Sequence, residues 1–213
     1  PGQSLSLSTT DMRASATIAP DLTLAWDHGT LIATGGRITS DLGWQAGFAE
    51  ARLATRAGPV PLSHDIGAEV LGLNAPALSA SPGTFRLDAT VTLDRPVDRS
   101  SGTPRITAIA LRQARLAFGL PALAATGELT VSPEGYPEGR LDLTATRWRE
   151  VLPALAALGL IRAELLPTWD TMLGKLAETS PDPEVVTLPL TYRAGRISLG
   201  PLPLGPAPRL PGY

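Results

Sequence analysis

The chain's only histidines, His28 in Trp26-Asp27-His28-Gly29 and His64 in Ser63-His64-Asp65, each stand beside an aspartate. That pairing orients an imidazole for base catalysis or metal binding. Neighbouring residues of a strand point to opposite faces, however, so adjacency in sequence does not make a shared site, and both histidines are expected in loops. Ser63-His64-Asp65 is not a catalytic triad either, because triad members converge from separate segments. The unit Asp94-Arg95-Pro96-Val97-Asp98-Arg99 reads as a carboxylate and guanidinium clamp or as a self-paired turn that ends a strand. Pro96 and the weakness of exposed ion pairs favour the turn. Glu134 and Glu138 flank a hairpin tip and are expected in solvent. The chain has no cysteine, which excludes disulfides, thiolate nucleophiles and thiolate metal sites. It contains no phosphate loop, dinucleotide fingerprint, calcium loop, zinc helix or nucleophile elbow. The expectation is a protein without enzymatic activity, cofactor or metal.

What the spacing does offer is apolar surface. In Thr84 to Asp94 the residues Phe85, Leu87, Ala89, Val91 and Leu93 alternate with Arg86, Asp88, Thr90, Thr92 and Asp94. This is the pattern of a sheet with one dry and one wet side, and a helix would scatter both sets. Leu129 and Val131 on one arm of a hairpin, with Leu141, Leu143 and Ala145 on the other, share one apolar face across Ser132 to Gly139. The candidate site is therefore a continuous apolar face on a curved sheet, carried by Phe85, Leu87, Val91, Leu129, Leu141 and Leu143. Trp148 and Trp169, in the segment that follows, are expected to pack helices onto that sheet and leave an apolar groove between the layers.

Elements to build such a face run along most of the chain. Strands are expected at Leu5 to Ser8, Met12 to Ile18, Leu22 to Trp26, Leu31 to Thr34, Ile66 to Leu73 and Arg105 to Phe118, with helix as the alternative for the last. Ala19-Pro20-Asp21 supplies one turn, and Gly35-Gly36 signals a hairpin with Arg37 to Thr39 returning. Trp44 to Thr55 fits strand better than helix because Gly47 would weaken a helix. At Thr146 the apolar period changes from two to about 3.6. Val151, Leu152, Leu155 and Leu158 mark one helix, Arg147 to Leu158, ended by Gly159, with Pro153 arguing for a start nearer Val151. Leu165, Trp169, Met172 and Leu176 mark a second, with Pro167 in its first turn and Lys175 near its end. Strand returns at Val185 to Tyr192 and Arg196 to Leu199. The fold class expected is α+β, mostly β: a curved antiparallel meander with a C-terminal helical hairpin packed on it. Residues 1–199 form one domain that includes the hairpin at 147–178, and 200–213 form a stiff, extended Pro-rich tail.

Length and charge agree with that reading. The 213 residues are enough for a substantial core, and Gly 21 with Pro 21 mark a turn-rich chain. A net charge of −2 and a pI near 5.7 leave no basic footprint for nucleic acid. All basic residues but Lys175 are Arg, an imbalance of coding composition more than of mechanism. The longest apolar run, Val151 to Ile161, is broken by Pro153 and falls well short of the roughly 20 residues of a membrane span. Pro1-Gly2-Gln3-Ser4 reads as the start of a fragment or processed product.

Three stretches together carry a resemblance: Thr92-Leu93-Asp94-Arg95-Pro96-Val97-Asp98-Arg99, the Gly127 to Trp148 hairpin leading into a helix, and Leu199-Gly200-Pro201-Leu202-Pro203-Leu204-Gly205-Pro206-Ala207-Pro208. From about Met12 onward the chain resembles the alphaproteobacterial envelope proteins grouped as domain-of-unknown-function family 2125. The resemblance implies a periplasmic domain, the C-terminal part of a longer protein held to the inner membrane by an N-terminal anchor, and it transfers no catalytic residue. The Gly-x-Leu-x-Val and Gly-x-Leu-x-Leu strand style is also similar to AsmA-like envelope proteins, whose curved sheets are associated with lipid handling. Two functions follow as expectations. One is a domain that binds an apolar or lipid ligand on its curved sheet. The other is an assembly module that pairs with an envelope protein through a strand edge or the Pro-rich tail.

Overall fold

The structure is a computed structural model that describes residues 4–20, 24–41, 43, 45–74, 81–99, 101–157, 161–178, 180–210 and 212–213. Alternating apolar and polar residues give strands β1 (Leu5–Ser8), β2 (Asp11–Ile18), β3 (Trp26–Ser40), β4 (Gln45–Ala57), β5 (Ser63–Leu73) and β6 (Gly83–Leu93). They continue as β7 (Ile106–Ala117), β8 (Ala122–Val131) and β9 (Pro137–Thr146). Helices α1 (Trp148–Ala157) and α2 (Leu166–Glu178) follow, joined through a short 3-10 turn at Ala163–Leu165. Strands β10 (Val185–Arg193), β11 (Arg196–Leu199) and β12 (Leu202–Pro206) close the chain. All belong to one antiparallel sheet in which each strand from β3 onward pairs with the next, while β1 and β2 lie end to end along the outer side of β3. This is the expected α+β class: a curved meander of strands with a C-terminal helical hairpin.

The helical hairpin packs on one face at the β8–β10 end. Trp148, 1% exposed, is the centre of a core that includes Leu152, Trp169, Leu173, Ala177 and Val186. Its indole Nε1 donates to Pro183 O at 3.0 Å, so the buried polar atom is satisfied. Arg147 turns the chain from β9 into α1 with φ 51, outside the helical range, and its N–H bonds Glu184 O at 2.7 Å.

Several expectations are corrected. Gly35-Gly36 is not a hairpin, because β3 runs through it from Trp26 to Ser40. The glycines are there for a close approach: a Cβ on Gly36 would stand 1.9 Å from the Phe48 ring of β4. Helix α1 starts at Trp148 and keeps Pro153 inside it. Helix α2 buries Trp169, Leu173 and Ala177, spaced by four, while Leu165 and Leu176 are 45% and 38% exposed. Leu165 belongs to the preceding 3-10 turn, so the expected stripe is rotated. His28 lies in β3 and His64 in β5, not in loops. Of the Leu22 to Trp26 strand only Trp26 is strand among the described residues; Asp21, Leu22, Trp44, Leu158 and Gly159 lie outside them.

The Pro-rich segment is fastened to the sheet. Leu202–Pro206 pairs with β11 as the outer strand. Beyond it Ala207 N bonds Gly195 O and Leu210 N bonds Gly135 O, both at 2.8 Å, and the Tyr213 hydroxyl donates to Ile106 O. Residues 207–210 and 212–213 thus lie across the strand ends between the β10–β11 turn and the start of β7.

Gly127 sits at φ +140, and a Cβ there would stand 2.4 Å from Arg140 O on the neighbouring strand. Gly127→Ala is expected to cost about 2–4 kcal/mol of unfolding free energy, from backbone strain plus overpacking. Gly67→Ala, with nothing within 4 Å of its Cβ position, is expected to be near neutral; urea denaturation of both variants checks the contrast.

Candidate functional site

The strand registers line up the apolar positions in rows that cross the sheet. One row runs Met12, Ala33, Ala51, Val70, Phe85, Leu116, Leu123, Ala145, Val186, each directly opposite the next. The next runs Ala14, Leu31, Leu53, Ala68, Leu87, Ala114, Ala125, Leu143, Leu188. A third passes from Ala16 through Ile66, Ala89, Leu111, Gly127 and Leu141 to Leu190 and Leu199. A fourth passes from Ala57 through His64, Val91, Ile109, Leu129 and Gly139 to Tyr192 and Ile197. Opposed residues share a face in an antiparallel pair. The candidates Phe85, Leu87, Val91, Leu129, Leu141 and Leu143 therefore all lie on the same side of the sheet, together with many apolar residues of β2–β5 and β10–β11 that were not singled out.

This face is the concave one. Ile66, Val70, Phe85, Leu87, Val91 and Ile109 are half-buried, and Ala89 is 4% exposed, although the helices pack at the β8–β12 end of the sheet. Their shielding comes from the sheet curling over its own apolar side. The curl is tight enough that Trp26 N at the start of β3 bonds Val97 O in the β6–β7 loop at 2.8 Å. The intervening residues Arg86, Asp88, Gln113, Thr126 and Glu128 are exposed on the convex side. At a strand spacing of about 4.8 Å, the apolar rows span about 40 Å.

Under the helical hairpin the trough deepens into a cavity of about 410 Å³, within the range of small-ligand sites. Its floor includes Leu123, Leu143, Leu188 and Leu199, its roof Trp148, Leu152, Leu155, Trp169 and Leu173, and among the described residues none that line it is charged. Tyr192 brings in the single side-chain hydroxyl, and burial pushes that phenol above its ordinary pKa. A cavity lined in this way offers water few hydrogen-bond partners.

The histidines take no part in a shared site. His64 stands in the fourth concave row while Asp65 points to the convex side, where it bonds Arg56 and Thr90. At His28 the alternation fails, because Asp27 is the bulged residue between Trp26 and His28. Asp27 Oδ2 meets His28 Nδ1 at 3.0 Å, and Thr17 Oγ1 lies 3.1 Å from Nε2. This relay stands in solvent, His28 and Asp27 being 52% and 57% exposed, without the water exclusion that acid–base catalysis uses. Asp94 pairs with Arg95 and accepts the Arg105 N–H at 2.8 Å, and Asp98 accepts from Ser101 N at 2.7 Å, the self-paired turn expected. Among the described residues no three His, Asp or Glu side chains gather as metal ligands would, and no helix is long and apolar enough to cross a membrane.

The convex side carries a charge lattice. A bulge in β7 pushes Arg112 outward, where Nε donates to Asp88 at 3.0 Å and the guanidinium reaches Asp65 at 3.4 Å. The Thr90 hydroxyl bonds Asp65 at 2.6 Å and holds its carboxyl below the ordinary aspartate range; Arg112 does the same for Asp88 and Arg95 for Asp94.

The fold and site define a β-rich, trough-forming domain, apolar within and charged without. A family model described as "Uncharacterized protein conserved in bacteria (DUF2125)" matches residues 1–208, and the chain belongs to that family. Neither a curated protein nor a solved structure matches it.

Carboxylates held below their unfolded values stabilise the fold above the ordinary aspartate range, and that stability is lost as the pH falls through it. Thermal midpoints measured from about pH 6 down to about pH 3 are expected to fall in the parent chain, modestly because the pairs are solvent-screened. Asp65→Asn is expected to lower the neutral-pH midpoint and flatten the acid limb.

Proposed function

We propose that the domain holds the acyl chain of a lipid, or a similar long apolar ligand, in the trough, without turning it over, on the periplasmic side of the inner membrane. The observation that carries this is the alignment of apolar rows, two of them apolar from β2 to β10, leading into an uncharged cavity beneath α1 and α2. Each buried methylene is worth about 0.8 kcal/mol, so a chain of ordinary lipid length supplies ample gross affinity. The periplasmic setting and the tether to the inner membrane rest on the resemblance of the Asp94 turn, the Gly127 to Trp148 hairpin and the closing Pro-rich stretch to envelope proteins.

The alternative role in assembly through the Pro-rich tail finds less support, since Ala207 is 6% exposed and Ala207, Arg209 and Leu210 are hydrogen-bonded to the turns at the strand ends. A strand-edge role is supported by β2, all of whose residues are exposed.

Trp148 and Trp169 line the cavity and serve as built-in reporters. Titration with a brominated fatty acid is expected to quench a saturable part of the tryptophan fluorescence. That part should shrink in Trp148→Phe and in Trp169→Phe. Absence of saturable quenching, or quenching that both variants leave untouched, would count against an acyl chain in this cavity.

A further inference from the structure

We propose that two copies of this chain pair edge to edge through β2, antiparallel about Ser15, and join their troughs into one. The two borders of the sheet are built differently. The β12 border carries Pro203 and Pro206, which have no N–H to offer, and the chain beyond it is bonded back across the strand ends. Such prolines are a standard guard against edge pairing. Strand β2, Asp-Met-Arg-Ala-Ser-Ala-Thr-Ile, has no Pro, Gly or Lys and pairs with β3 along its full length. Its outward N–H and C=O groups form a ready template. Met12 and Ile18 on it are 58% and 46% exposed.

Among the described residues the concave rows also run up to this border, with Met12, Ala14 and Ala16 as their first members. A second antiparallel strand with its concave side on the same side continues them, and a two-fold axis perpendicular to the sheet does this when opposed residue numbers have the same parity. Centring the axis on Ser15 sets Ala14 opposite Ala16, Met12 opposite Ile18 and Arg13 opposite Thr17 of the other copy. The two exposed apolar side chains of each copy then cover one another on the concave side, and no like charges meet. Arg13 stays paired with Asp11 on the convex side, at 3.1 Å, so no unpaired charge enters the seam. The occupant that this register fits is a second copy of the same strand.

Light-scattering mass measurement on the delipidated chain tests the pairing. The expected mass is twice the 22.2 kDa of one chain, falling to a single chain on dilution. In Met12→Lys/Ile18→Lys, which sets ammonium groups opposite one another at exposed positions, the mass should be that of one chain at all concentrations with an unchanged circular dichroism spectrum. Ser15→Cys provides the only cysteine in the chain, on the axis, at a cross-strand distance that a disulfide spans. Mild oxidation is expected to link it quantitatively, and Glu128→Cys, remote on the convex side, is not. A parent chain that stays monomeric, a dimer that persists in the double lysine variant, or a Ser15→Cys chain that fails to link would each overturn the proposal. A monomer that still binds the brominated fatty acid contradicts only the pairing, and a dimer that does not bind it contradicts only the ligand reading.

Discussion

Cross-strand register is the constraint on which everything else in this molecule depends. Because side chains alternate along a strand with a period of two, a slip by one residue at any border would turn the apolar half of that strand outward. From β2 to β11 no such inversion survives: where β7 carries an extra residue at Arg112 and β5 one at Gly72, the bulge restores the alignment. Arg112 is expelled to the convex side, where it joins Asp88 and Asp65. The same irregularity that preserves the apolar rows thereby builds part of the charge lattice behind them.

A sheet with one apolar face needs cover, and among the described residues no second sheet supplies it. Curvature provides part of the cover and the helical hairpin the rest. Glycines make room for the close contacts that result: the Leu141 side chain lies 3.2 Å from the Cβ position of Gly127, and the Leu129 side chain 3.3 Å from that of Gly139. The cover is incomplete. Curl and hairpin together leave a trough and a cavity instead of a filled interior, and packed interiors rarely leave such space without a use.

Much of this was legible in residues of strong alternation. Thr84 to Asp94 and Arg140 to Ala145 announce strands whose apolar sides can only face one way, and the helical pair follows from the change of period after Thr146. Legibility failed where glycine, proline or a bulge serves tertiary contact. Gly35-Gly36 reads locally as a reversal, yet the Phe48 ring requires Gly36 in mid-strand. Asp27 reads as facing away from His28 until a bulge turns it toward the ring. The extent of the site was underestimated for a similar reason: Ala14, Ala33, Ala51, Ala68, Ala114 and Ala125 are too small to stand out in sequence, and only the register shows that they complete rows begun by leucines.

The central claim is that the concave face, and only that face, holds an apolar ligand. Leu188 and Thr187 are neighbours in β10, one lining the cavity and the other exposed on the convex side. Native mass spectrometry of the chain purified from its native cells can compare lipid carried by the parent, Leu188→Glu and Thr187→Glu. Bound lipid is expected in the parent and in Thr187→Glu and its loss in Leu188→Glu; a lipid-free parent, or equal loss in both variants, is incompatible with a ligand on the concave face.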